Sequence, residues 1–190
     1  MTTHFSEKLI YAFLTALALL SWWLLQYTGL IGPKKPVGLN KSPDYFSTGY
    51  TKWEMDENGR LKSKLVAEEM THTVNYWATS AKKPIMVFYN ENKPPWIIKS
   101  DTGILSNDGT KLRLDGKVTV TRDKAEGTRP LTINTSNLMV SPKISYAETK
   151  AWAELISPPH ITSGTGMKVT FKEPIHLELL SKVKGKYETK

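Results

Sequence analysis

Residues Leu9 to Ile31 read LIYAFLTALALLSWWLLQYTGLI, a run without a single charge. As a helix it would rise roughly 34 Å, against a hydrocarbon core of about 30 Å, so it is long enough to span a bilayer. Its Leu, Ile and Phe side chains favour insertion by roughly 3 to 7 kcal/mol, and Trp22, Trp23 and Tyr27 gather toward one end, as interfacial aromatics do. A cleavable leader is the rival. Ala16-Leu17-Ala18 has the small-x-small form of a cleavage site, but the apolar run continues through Leu19, Leu20, Trp22, Trp23, Leu24 and Leu25, which favours an uncleaved anchor over 9–31. Lysine counts do not orient it, since Lys8 precedes it and Lys34, Lys35 and Lys41 follow. Long domains cross largely regardless of such counts, so the expected arrangement is a short tail at 1–8 on the cytoplasmic side and the remainder of the chain on the other.

Beyond the anchor, Gly32-Pro33-Lys34-Lys35-Pro36-Val37-Gly38 and Pro43 can sustain neither a helix nor a full strand ladder, so 32–44 is expected to be an extended linker and 45–190 one folded domain. That domain reads as short alternating runs broken by turn chemistry. Trp53 and Met55 lead through Asp56-Glu57-Asn58-Gly59 into Leu61 to Ala67, which is a hairpin. Ile85 to Tyr89 and Trp96 to Ile98 flank Asn90 to Pro95, and Leu112, Leu114, Val118 and Val120 alternate after Ser106-Asn107-Asp108-Gly109. The period of two continues through Leu131 and Ile133, Leu138 and Val140, Met167 to Phe171, and Ile175 to Leu179. Only Val66 to Met70 offers room for a helical turn, around Ala67-Glu68-Glu69. An all-β domain of antiparallel strands, preceded by one helix, is the expectation.

The net charge of +8 comes mostly from lysine, with Arg60, Arg113, Arg122 and Arg129 the only arginines. It suits an anionic partner. Nucleic acid is disfavoured, because no dense Lys/Arg block, zinc-ligand set or helix-turn-helix is present. Without cysteine there is neither a disulfide framework nor a thiol nucleophile. His4, His72, His160 and His176 are scattered with no H-E-x-x-H, and Gly164-Thr165-Gly166 lacks the third glycine and the helix of a phosphate loop. No catalytic residue, metal site or cofactor is therefore expected.

Five runs in order carry a resemblance: W-x-I-x-S-D-x-G from Trp96, L-x-L-x-G-x-V-x-V from Leu112, L-T-I-x-T-x-x-L-x-V-x-P-x-x-x-x-A-x-T from Leu131, S-G-x-G-M-x-V from Ser163, and L-L-S-x-V-K-G-x-Y from Leu179. Together they resemble the LptC family of lipopolysaccharide transport over roughly Trp53 to Tyr187. The resemblance implies a twisted antiparallel β-jelly roll of the OstA/LptA type, single-pass in a Gram-negative inner membrane with its domain in the periplasm. It also implies a non-enzymatic role: accepting lipopolysaccharide from the LptB, LptF and LptG ABC transporter and passing it to LptA. Acyl chains need an apolar trough. Alternation offers Trp53, Met55, Leu65, Phe88, Trp96, Ile98, Leu112, Leu114, Val118, Ile133, Leu138, Val140, Val169, Phe171 and Leu177 for it, although the same side chains also serve as plain core. Lys34, Lys35, Lys82, Lys83, Lys182, Lys184 and Lys186 are candidates for phosphate attraction or for ordinary solvated surface. The run with Ile175, Leu177, Leu179 and Val183 is the candidate edge strand for LptA. Monomer and homodimer are both compatible with the sequence.

Two other readings stay open on the residues alone: a membrane-tethered adaptor that binds only proteins through its sheet edges, and a secreted hydrolase or sugar-binding sandwich, which would need a cleaved leader and paired carboxylates. The length of the mature protein separates the last from the others. If 9–31 is an anchor, the mature protein keeps its first residues and fractionates with membranes; N-terminal sequencing that began after Ala18 or Gly29 would contradict this.

Overall fold

The computed structural model describes residues 3–27, 45–73, 78–91 and 93–187. The chain divides into two units, 1–40 and 41–190. In the first, α1 runs Thr3–Tyr27, and within it Lys8–Gln26 is long and apolar enough to cross a membrane, with no side chain buried by protein. Leu9, Ile10, Phe13, Leu17, Leu20, Trp22 and Trp23 are all exposed, so the helix presents apolar surface around its whole circumference. A helix that is apolar all round must be covered, and a bilayer is the cover its length fits. The hydroxyl of Thr15 is satisfied within the helix, 3.0 Å from the carbonyl of Tyr11 and 2.9 Å from that of Ala12. The expected linker at 32–44 and the end of the expected anchor, 28–31, lie outside the described residues.

The second unit is all antiparallel sheet: β1 Tyr45–Met55, β2 Leu61–Thr73, β3 Ala78–Lys82, β4 Ile85–Asn90, β5 Lys93–Ser106, β6 Leu112–Arg122, β7 Leu131–Ser141, β8 Tyr146–Ser157, β9 His160–Thr170 and β10 His176–Lys186. Pairing follows β1-β2-β3-β5-β6-β7-β8-β9-β10, with β4 also between β2 and β5, so β3 and β4 act as one interrupted strand. The strands form a meander whose two edges, among the described residues, are β1 and β10.

The turns form as their residues require. Asp56 Oδ1 accepts the backbone N–H groups of Asn58 and Arg60, both at 2.9 Å. Asp108 does the same for Thr110 at 3.0 Å and takes the Ser106 hydroxyl at 2.6 Å, donors that hold its carboxyl down at about 2. Val66 to Met70 is not a helical turn but the middle of β2, paired to Tyr50 and Thr51 on one side and to Ala81 on the other. Ladder bonds with two neighbours outweigh a single unnucleated turn. The expected turn over Asn90 to Pro95 is also shorter, because β5 already begins at Lys93, with Pro94 and Pro95 in its first residues, where a strand tolerates proline.

One row of irregularities crosses the whole sheet at mid-strand. The β1 and β2 pairing skips Gly49 opposite Glu68, β3 breaks from β4 at Lys83-Pro84, and register shifts fall between Ser100 and Thr102, Leu114 and Lys117, Asn134 and Met139, Thr149 and Trp152, and Ser181 and Lys184. A bulge bends its strand and increases the local twist, and the row of bulges from β5 to β10, continued by the break between β3 and β4, folds the sheet across its middle. Backbone groups freed along this row find side chains. Asn137 Oδ1 accepts from Gly116 N at 3.1 Å. Thr135 Oγ1 donates to Trp152 O at 2.9 Å, and Thr149 Oγ1 donates to Ser136 O at 2.8 Å while accepting from Ala151 N at 3.0 Å. Ser100 Oγ lies 3.0 Å from Asp115 O, and Ser181 Oγ donates to Thr165 O at 3.1 Å. Thr135 and Thr149 are among the few buried polar side chains. At Gly166, φ is +77° and a Cβ would lie 3.0 Å from Leu180 Cδ1, so both conformation and space favour glycine.

Replacing the buried Thr149 by the isosteric valine keeps the volume but leaves the carbonyl of Ser136 and the N–H of Ala151 without that hydroxyl. The expected cost is about 1–3 kcal/mol, whereas Thr119→Val on the outer surface of β6 should stay within about 0.5 kcal/mol. Thermal unfolding of the two variants side by side checks the difference.

Candidate functional site

Folding the sheet across its middle turns the inner faces of its two halves toward each other, and alternation delivers apolar side chains to that space. Leu65, Phe88, Trp96, Ile98, Leu112, Leu114, Val118, Ile133, Leu138, Val140, Val169 and Phe171 are all buried in one cluster, and Ile175, Leu177 and Leu179 pack partly buried against it. Met70, Met86, Leu105, Val120 and Met167 join them. The interior is tightly closed: Trp96, Ile98, Leu112, Val118 and Leu138 have no exposed surface.

Trp53 and Met55, chosen by the same alternation, are 56% and 54% exposed. Trp53 pairs with Lys64, whose neighbours Ser63 and Leu65 are the inward residues of β2, so Trp53 lies on the outer face. The register then shifts between Glu54 and Met55, which puts Met55 at the hairpin end.

One end of the cluster is aromatic. Phe171 stacks on Phe88 with centroids 5.0 Å apart and packs tilted against Trp96 at 5.4 Å, and the Arg122 guanidinium lies over the Trp96 ring at 4.5 Å from its centroid. Burial lowers the Arg122 pKa from its ordinary value. Its Nε and the indole Nε1 of Trp96 are buried donors with no acceptor among the described residues.

The segment that carries Phe171 follows β9, and it meets the β4–β5 hairpin across the roll. Asn90 Nδ2 donates to Phe171 O at 2.8 Å, and Lys93 pairs with Glu173 at 2.8 Å. Lys62 Nζ donates to the carbonyl of Lys143 in the 3-10 turn at 142–144. These are side-chain contacts, not a strand ladder, between parts of the sheet that do not pair. Over this junction opens a groove of about 590 Å³, lined by Met55, Asp56, Arg60, Leu61, Lys62, Tyr89, Glu91, Ser145, Lys172 and others. Its walls carry both signs of charge. Arg60 pairs with Asp56 and with Glu91, and the backbone N–H of Arg60 is the main cause that lowers the Asp56 pKa.

The candidate edge strand is the sheet's last, β10, which begins one residue after Ile175 and among the described residues pairs only with β9. Within it Leu177 and Leu179 face the core, while Val183, past the register shift, is exposed. Of the candidate lysines, Lys82 and Lys83 both pair with Glu68, at 3.3 and 2.9 Å; Lys34 and Lys35 lie outside the described residues. His72 stacks on Tyr45 at 4.9 Å, and His160 packs against Tyr187 at 5.5 Å. No group of three His, Cys, Asp or Glu among the described residues could hold a metal.

A family model described as LptC, lipopolysaccharide-assembly, LptC-related, matches residues 9–188. No curated protein matches the sequence. Among solved structures, the fold is similar to LptH of Pseudomonas aeruginosa, described as the LptA homologous periplasmic component of the conserved lipopolysaccharide transport device. The TM-score is 0.51 at 6% identity, and the match covers 67% of this chain and 95% of that one.

Because Phe171 joins both walls of the roll, Phe171→Ala should cost about 3–5 kcal/mol and Phe171→Leu distinctly less. Chemical denaturation checks this, and a loss below about 1 kcal/mol for alanine would show that the ring does not hold the walls together.

Proposed function

Since the chain belongs to the LptC-related family of lipopolysaccharide-assembly proteins, we propose that it is a non-enzymatic carrier subunit of the inner membrane. It accepts lipopolysaccharide from the LptB, LptF and LptG transporter into the interior of its roll and passes it to LptA in the periplasm. The helix at 9–31 is its anchor, 1–8 a cytoplasmic tail, 32–44 a linker and 45–190 the periplasmic domain.

The observation that carries this reading is the interior itself, a single apolar cluster that runs between two halves of a sheet and ends at a junction of side-chain contacts. Acyl chains are apolar and long, and a space lined by inward residues of an antiparallel roll suits them. In the closed roll that space is filled, so the lipid is admitted when the β4–β5 hairpin and the segment after β9 part. Phe88 and Phe171 then line the opening. Lys62 and Lys172 at the groove suit the phosphates of the head, and Trp96 Nε1 and Arg122 Nε offer donors that have no acceptor among the described residues. LptA adds its strand to the free edge of β10, where main-chain groups are open to pairing. Proline at Leu179 should then weaken LptA binding far more than valine, which suits a strand and keeps the donor.

A photoreactive residue at Phe88, Leu112 or Phe171 should crosslink lipopolysaccharide in cells in an ATP-dependent way, while Asn58 or Asp108 in the turns should not. Equal labelling of both sets, or of neither, would remove lipid carriage and leave an adaptor that works through β1 and β10.

A further inference from the structure

When one face of an antiparallel sheet is buried, the other is ordinarily polar. Over β2, β4 and β5 it is not. Register aligns Trp53, Lys64, Val87 and Ile97 in one outer row and Val66, Ile85 and Lys99 in the next. Their outward direction follows from the burial of the alternate residues Leu65, Met86, Phe88 and Ile98. Val66, Ile85, Val87 and Ile97 are each left partly exposed, with the Trp53 ring beside them and Lys64 Nζ 5.6 Å above it. Next to these rows Lys83, Lys99 and Lys117 surround a shallow hollow of about 300 Å³ that has Ile85, Ser100 and Thr119 in its walls and Asp101 as its acid. Lys83 is paired with Glu68; Lys99 and Lys117 are in no ion pair among the described residues. The outer face at the other edge is different, a charged row of Glu148, Lys168 and Glu178.

Branched aliphatic side chains and an indole, framed by lysines whose stems lie on apolar surface while their ammonium groups reach outward, match the boundary between acyl chains and anionic headgroups. We propose that the outer face of β2, β4 and β5 docks on the surface of an anionic phospholipid bilayer, with a lipid phosphate between Lys99 and Lys117. This rests on the anchor reading of α1, which keeps the domain close to a membrane and makes the contact effectively intramolecular. Charge complementarity favours lipid over a protein partner: a plane of phosphates meets all the lysines at once, while the patch carries few acids for a partner's basic groups. Docking would hold the roll in one orientation while its interior and its β10 edge stay free.

The native chain has no cysteine, so a single environment-sensitive fluorophore can be placed cleanly in the full-length protein. Val87→Cys reports the patch and Glu148→Cys the opposite outer surface, in nanodiscs of phosphatidylcholine alone or mixed with phosphatidylglycerol. The label at 87 should shift to the blue and brighten only with phosphatidylglycerol, and the label at 148 should change in neither. At about fivefold per lysine, the triple variant Lys83→Gln, Lys99→Gln and Lys117→Gln should reduce docking about a hundredfold and return the signal to the phosphatidylcholine level. A signal at 87 that is equal in both lipids, that survives the triple substitution, or that arises only when a partner protein is added would overturn the proposal. Retention of the chain by discs of either composition reports on α1 alone, so failure of the anchor is distinguishable from failure of the face.

Discussion

Ten strands could have made a flat, open meander; what prevents it is the exchange of ladder hydrogen bonds for side-chain ones along a single mid-strand row. Asn137, Thr135, Thr149, Ser100 and Ser181 hold main-chain groups that the bulges release, so the sheet can bend there with those carbonyls and amides still paired. An unmatched buried group costs about 1–3 kcal/mol, and several in a row would erase a domain's marginal stability. With them matched, the fold line is stable, and the two halves of each long strand enclose an apolar space.

Function follows from that bend. The interior is made by β2 to β9 together, yet where the outer halves meet, at Phe171 and the β4–β5 hairpin, side chains rather than a strand ladder join them: the rings of Phe88, Trp96 and Phe171, the Asn90 amide and the Lys93–Glu173 ion pair. Exposed ion pairs contribute little, so the aromatic contact carries most of the closure. A strong seam on one side and a weak junction on the other make a clasp, and under the proposed function it is this clasp that parts for a lipid.

Much of this was legible in the sequence. The turns at Asp56 and Asp108 were written in Asn/Asp-Gly chemistry, the strands in their period of two, and the helix in an uncharged run. What alternation could not supply was which face is inner. Ile85 to Phe88 and Trp96 to Ile98 are apolar on both faces, and only the register separates Met86, Phe88, Trp96 and Ile98 inside from Ile85, Val87 and Ile97 outside. Alternation groups Trp53 with the inward residues for this reason, while the register turns it outward. The fold line was missed as well, although isolated glycines inside strand patterns at Gly49, Gly116 and Gly166 are its signal. Lys83 and Asn137 also take positive φ there; asparagine favours that region, while lysine gives no such signal.

The central claim, that lipopolysaccharide is carried inside a roll that opens at the junction, is tested most directly by locking that junction. Lys93→Cys and Glu173→Cys replace the ion pair in a chain that has no other cysteine, and a short bis-maleimide joins them. The joined protein should lose lipopolysaccharide when purified with the transporter and ATP, while the same variant left unjoined, or joined by a long flexible linker, should retain it. Equal lipopolysaccharide on locked and unlocked protein would contradict the account.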